Sequence, residues 1–255
     1  MAHASTHSPA LAGKTAFVTG GSNGIGRAAV RMLAEAGARV IVAYNKGEER
    51  AREVLRELPG EGHSIQQLTL EDAASIARAV ETTKSARGKL DVLVNSAGFT
   101  RPVAHNNLDA LDDALFDSIM TANVRGPFAM TRAFRGLLEA GGESVIVNVS
   151  SIAAFTGSGS NIAYCASKAA LDTMTLSLAR VLGPKIRVMG VSPGAVATDF
   201  VAGRGRPELE KLAQATPLKK IVEPEDVAMA IMACVTHLKA TTGSYITVDA
   251  GRFLA

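Results

Sequence analysis

Seven short strand-like runs, all but the third rich in β-branched residues, punctuate the chain: "KTAFVTG", "ARVIVAY", "HSIQQL", "LDVLVNSAG", "SVIVNVSS", "IRVMGVSPG" and "SYITVDAG". Helical stretches separate them, among them "IGRAAVRMLAEAG", "GEERAREVLREL" and "DAASIARAVETTKSA", with others at about 111–140, 161–182 and 224–236. Two parallel strands need a crossover long enough to hold a helix, so this alternation predicts parallel pairing. Helices then cover both faces of the sheet. The expected architecture is α/β: a doubly wound sheet, mostly or wholly parallel, with about seven strands. At 255 residues, 47% of them hydrophobic, the chain can bury one such core, and no repeat or linker marks a second domain. Residues 1–10 read as a loose tail and 11–255 as a single domain.

The first strand runs directly into "TGGSNGIG", Thr19 to Gly26, which opens the first helix. Gly20 and Gly24 suit a turn of positive φ that lets backbone approach a pyrophosphate, and Gly26 permits close helix-to-strand packing. The helix start adds free N–H groups and a partial positive charge. Placed between a first strand and a first helix, the turn predicts a dinucleotide site, with Gly20, Ser22, Asn23, Gly24 and Ile25 as contacts. An acid at the end of the second strand would pair with a free ribose hydroxyl and repel a 2′-phosphate. Tyr44, Asn45 and Lys46 stand there instead, so NADP(H) is expected over NAD(H), with Lys46 as the phosphate partner. Glu48 and Glu49 read as solvated first-turn residues of the next helix.

Tyr164 and Lys168 lie four apart in "YCASK", on one face of a helix, where an ammonium can favour phenolate and tune a tyrosine for acid/base work. Thirteen residues earlier Ser151 ends the strand "SVIVNVSS", and Ser150, by alternation, faces away. With TGxxxGxG at the first strand, this serine, YxxxK and "SPG" after the sixth strand, the chain resembles the short-chain dehydrogenase/reductase family and its Rossmann-type fold, from Lys14 to Gly251.

That resemblance implies a ketone and secondary-alcohol oxidoreductase, similar to the 3-oxoacyl-thioester reductase branch, with sugar, steroid or other small-alcohol dehydrogenases as the alternative. A cofactor-sensing protein without turnover is the reading from another class, and the complete catalytic set argues against it. Tyr164 matches the acid/base, Lys168 the residue that lowers its pKa and binds the nicotinamide ribose, and Ser151 the residue that polarises the substrate oxygen. Asn123, in "TANVRGPF", matches the asparagine that positions a relay water. Asn95, Ala97, Gly98, Pro193, Gly194 and Thr198 match further cofactor contacts. Three positions depart from the pattern: Thr69 replaces an adenine-binding Asp unless Asp72 substitutes, Ser96 replaces an Asn, and Ala250 replaces a Gly. The family's dimers and tetramers imply a homotetramer or homodimer, which the small-residue helix faces would permit.

Composition narrows the partners. Net charge is +3, from 27 basic and 24 acidic residues with no basic tract, which argues against nucleic acid. No apolar run of about 18 residues predicts a membrane span. Cys165 and Cys234 have neither metal spacing nor scaffold density, so they read as reduced thiols of a cytoplasmic protein. The five histidines show no ligand spacing, and no metal is expected. The partner is a small carbonyl or alcohol, or a carrier- or CoA-linked acyl group. The loop at about 195–216 reads as a mobile lid, and in it Arg204 and Arg206 either receive an acidic substrate or a carrier-linked phosphate or are simply solvated.

Overall fold

The computed structural model describes residues 10–254. The nine residues before them, most of the expected tail, and Ala255 lie outside the described residues. Seven strands form one sheet in the order β3-β2-β1-β4-β5-β6-β7. They are β1 (Thr15–Thr19), β2 (Arg39–Tyr44), β3 (Ser64–Gln67), β4 (Val92–Asn95), β5 (Ser144–Val149), β6 (Ile186–Pro193) and β7 (Ser244–Val248), and every pairing is parallel. The helices are α1 (Gly24–Glu35), α2 (Glu48–Glu57), α3 (Ala73–Arg87), α4 (Asp113–Met120), α5 (Gly126–Gly141), α6 (Ala153–Thr156), α7 (Ile162–Leu182), α8 (Arg206–Gln214) and α9 (Pro224–Thr236).

Alternation within the strands divides the core in two. Ala16, Val18, Val40, Val42, Val92 and Val94 face one layer, with α1, α2 and α9; Phe17, Ile41, Ala43 and Leu93 face the other, with α3, α5 and α7. Because helices bury both faces, the central strands read as unbroken apolar runs, as β1 does with all five residues buried. Chain order reverses between β1 and β4, so the loops there part and leave a crevice at the carboxyl ends of the strands.

Local chemistry sets the helix ends. Asn23 accepts a hydrogen bond from Gly24 N at 2.9 Å, Asp72 from Ala74 N at 2.8 Å, and Asn161 from Tyr164 N at 2.6 Å, each capping a helix start. The stretch expected to be helical over 111–140 is interrupted by a wider π turn at Thr121–Arg125. Pro127 has no N–H to donate into the preceding turn, and Gly126 N reaches back five residues to Thr121 O. The segment expected as an irregular lid holds α8, started by Pro207 in the first turn and by Glu208, whose carboxylate accepts from Gly205 N at 3.1 Å. No helix among the described residues is long and apolar enough to cross a membrane, and no group of His, Cys, Asp and Glu among them is arranged to hold a metal ion. Cys165 and Cys234 are buried free thiols.

Candidate active site

A cavity of about 1100 Å³ runs along the crevice, bounded by the loops after β1, β2, β4, β5 and β6. Its floor at β1 is backbone. Gly20 has φ +66°, and a Cβ there would stand 3.0 Å from Ala97 Cα, so a side chain would wedge β1 from β4. A Cβ on Gly26 would fall 2.2 Å from Gly20 O, and one on Gly24 would fall 3.1 Å from Thr198 Cγ2. The turn is therefore closed beneath the start of α1 while its open side faces the cavity, a cradle shaped for a pyrophosphate against a helix N-terminus. Gly20, Asn23, Gly24 and Ile25 line it; Ser22 is buried beside them and does not.

Tyr44, Asn45 and Lys46 line the cavity at the end of β2. Glu48 and Glu49, the nearby carboxylates, are engaged on the surface of α2 by Arg52 and, at 3.0 Å, by Arg56. After β3, Thr69 donates its hydroxyl to Asn45 Oδ1 at 3.2 Å and Asp72 caps α3. Neither lines the cavity, whereas Leu68, Leu70 and Glu71 do. Sequence reasoning looked for an acid by position and missed these three, whose only signal was their place directly after the strand.

The reacting groups meet at the ends of β5 and β6. Ser151, Tyr164, Lys168, Pro193, Gly194 and Thr198 line the cavity, with Ala97 and Gly98 from the loop after β4. Ser150 donates its hydroxyl to Lys168 O at 3.3 Å and so ties β5 to α7. Lys168 is buried, donates to Val149 O at 2.8 Å, and stands 5.7 Å from the centre of the Tyr164 ring. Burial pushes its ammonium down to about 8, against the pull of Asp172 one turn on.

The surrounding atoms desolvate the Tyr164 phenol and push it up to about 12. A hydrogen bond from Ser151 and the charge of Arg204 oppose that rise. The expected lowering by Lys168 is thus corrected: the groups that lower the phenol are Ser151 and Arg204. The ammonium is turned to a β5 carbonyl and is itself disfavoured by burial, so the opposing cation is Arg204.

Two expected site residues stand behind the cavity wall. Asn95 donates to Asn148 Oδ1 at 2.9 Å, and Asn148 donates on to Thr175 Oγ1 at 2.9 Å, a chain of amides joining β4, β5 and α7. Asn123 accepts from Phe99 N at 2.8 Å and donates to Phe99 O at 3.0 Å and to Ser167 Oγ at 3.1 Å. Its carboxamide therefore fixes the loop after β4 to α7. Phe99, Phe200 and Phe253 give the substrate end an apolar lining, with Phe200 centred 6.0 Å from the Tyr164 ring. Phe253 packs edge-on against Phe155 at 5.7 Å, and Arg252 beside it reaches the cavity from a turn in which Ala250 adopts φ +57°. Arg252 and Phe253 had no sequence signal, since only the fold returns the chain's last turn to the site.

The family described as enoyl-(acyl carrier protein) reductase matches residues 20–252. Over 245 residues the chain is 36% identical to a putative ketoacyl reductase of the granaticin polyketide synthase of Streptomyces violaceoruber, covering 94% of this chain and 96% of that one. It is 35% identical over 244 residues to a 3alpha-hydroxysteroid dehydrogenase of Mediterraneibacter gnavus, covering 94% and 96%. Among solved structures, a short-chain dehydrogenase from Burkholderia cenocepacia in complex with NADP superposes with a TM-score of 0.87 at 34% identity, over 95% of this chain and 98% of that one.

Proposed function

Because the chain belongs to the short-chain dehydrogenase/reductase family of oxidoreductases, we propose that it is an NADP(H)-preferring enzyme that interconverts a ketone and a secondary alcohol, with Tyr164 as the acid/base. The observation that carries this reading is that Ser151, Tyr164 and Lys168 share one cavity with the glycine cradle after β1. The cradle and the residues at the end of β2 would hold the dinucleotide, which when bound supplies or takes the hydride at the substrate carbon. Tyr164 gives its proton to the carbonyl oxygen in reduction and takes the alcohol proton in oxidation. Its shift to about 12 keeps the phenol protonated at neutral pH, the form that reduction needs. Ser151 holds the same oxygen, and Lys168 binds the cofactor ribose and can pass a proton to Tyr164. Asn123 acts by holding the loop and α7 in place. Exposed Phe116, Phe128 and Ile162, on α4, α5 and α7, support self-association as a dimer or tetramer.

The relatives' names make 3-oxoacyl thioesters the first class to assay, with steroid and sugar-derived ketones beside them. NADPH oxidation with at least one ketone is expected, and Tyr164→Phe should lower kcat about 10²–10⁴-fold while NADPH still binds. Turnover that survives Tyr164→Phe would remove the acid/base assignment. For cofactor choice, the wild type should bind NADPH more tightly than NADH, and Lys46→Ala should weaken NADPH about tenfold with little change for NADH. Tighter binding of NADH by the wild type would overturn the preference.

A further inference from the structure

Arg204 and Arg206 stand two apart in the loop before α8, and the fold treats them differently. Arg206 pairs with Glu223 at 3.1 Å and with Glu210 at 3.8 Å, so its charge is met on the surface. Arg204 turns inward and lines the cavity that holds Tyr164. Its Nε is buried without a hydrogen-bond partner, and Nη2 has only the carbonyl of Val196, at 3.5 Å. No carboxylate among the described residues forms an ion pair with it.

A second cation sits at the same end. Arg252 also lines the cavity, and its like charge adds to burial in pushing the Arg204 guanidinium down. The one carboxylate in its own turn is committed elsewhere: Asp249 accepts from Gly251 N at 2.8 Å and from Phe253 N at 2.9 Å, holding the turn that presents Arg252. Two cations that repel, one of them half-buried with donors unmet, are costly to bring together unless an anion joins them. A guanidinium fork meets an oxyanion such as a carboxylate through paired N–H donors.

We propose that Arg204, with Arg252, receives a carboxylate of the substrate, so that the ketone or alcohol turned over at Tyr164 is an oxo or hydroxy acid. This rests on the carbonyl chemistry proposed above and deepens it. The acid is held at one end of the cavity while its carbonyl lies at Ser151 and Tyr164, and the apolar walls at Phe200 and Phe253 contact the carbons between. A neutral ester of the same skeleton leaves both cations unmet.

The test compares 3-oxobutanoate, 4-oxopentanoate and 5-oxohexanoate with their methyl esters, in two measurements. The first is kcat/KM with NADPH. The second is calorimetric binding of the same ketones to the protein saturated with NADP⁺, where both partners are oxidised and no turnover is needed. At least one acid is expected to exceed its ester about 30-fold in binding or in kcat/KM. Arg204→Met should erase that ratio, and Arg204→Lys, which keeps the charge and loses the fork, should retain part of it. Should Arg204→Met no longer bind NADP⁺, Arg204→Gln is read in the same way. Acids and esters that bind alike throughout the series would overturn the proposal, as would a ratio unchanged in Arg204→Met. Selective binding of an acid without turnover would support the carboxylate site and count against the carbonyl chemistry instead.

Discussion

At the scale of single residues, Lys168 shows function set against stability. Its ammonium titrates near 8 in the folded chain and near 10.5 when exposed, so at neutral pH folding must desolvate a charge. Between those two values the unfolded chain binds more protons than the folded one, and this residue's contribution to stability therefore rises with pH. Below about pH 8 the full cost, on the order of 3 kcal/mol, is present. Lys168→Met should therefore gain about 1–3 kcal/mol in urea unfolding at pH 7, less whatever Val149 O loses as an acceptor, and the gain should shrink by pH 10. A gain that does not change with pH would show that the ammonium is not desolvated. The same scale marks a limit of sequence reading. Tyr164 and Lys168 were legible as a pair because helical spacing alone brings them together, whereas what charges the phenol feels depends on a loop that returns from β6. Arg204 and Arg206 are alike as letters; their difference is made by Glu223, seventeen positions on, and by the direction in which the loop turns.

At the scale of elements, the strand, turn and helix at the N-terminal end of the sheet are held by contacts between backbones. The Cβ that alanine would add at Gly26 meets Gly20 O at 2.2 Å and Gly20 C at 2.7 Å, and neither can swing aside as a flexible side chain could. Gly26→Ala should destabilise the fold by about 1–3 kcal/mol and weaken NADPH binding at least tenfold, measured by urea unfolding and by fluorescence titration. Binding at wild-type strength would show that the cradle does not depend on this approach. Six strands were legible because β-branched runs bounded by glycines and polar turns carry their own signature, and β3, with Ile65 as its one β-branched residue, was legible from its place between two helical stretches. The break between α4 and α5 was not, because the π turn over Thr121–Arg125 carries the chain on as a helix with no loop between, and what distinguishes it is that Gly126 N reaches Thr121 O. Asn95 and Asn123 were legible as members of motifs, but the hydrogen bonds their side chains make depend on residues far away in sequence, Asn148 for one and Ser167 for the other.

For the whole molecule, the cavity is assembled from both halves of the sheet. Gly20 to Ile25 and Tyr44 to Lys46 bound one end, while Pro193, Gly194 and Thr198 come from β6 and the loop after it. A ligand that touches all of them binds only the folded arrangement. NADPH at a hundred times its Kd should stabilise the protein by about 2.7 kcal/mol, roughly 5–10 °C in Tm for a domain of this size, and NADH at the same concentration by less. An unchanged Tm with saturating NADPH would argue that the two halves are not bridged. The reversal of strand order between β1 and β4 also has a meaning in time. Thr19 must find Asn95, which leaves the ribosome roughly 4–15 s later at about 5–20 residues per second. Until then β2 and β3 can join β1 on one side only, and its other edge waits with apolar faces above and below. The edge that β4 closes beneath the crevice in the finished protein is, during synthesis, the edge most exposed to joining the wrong chain.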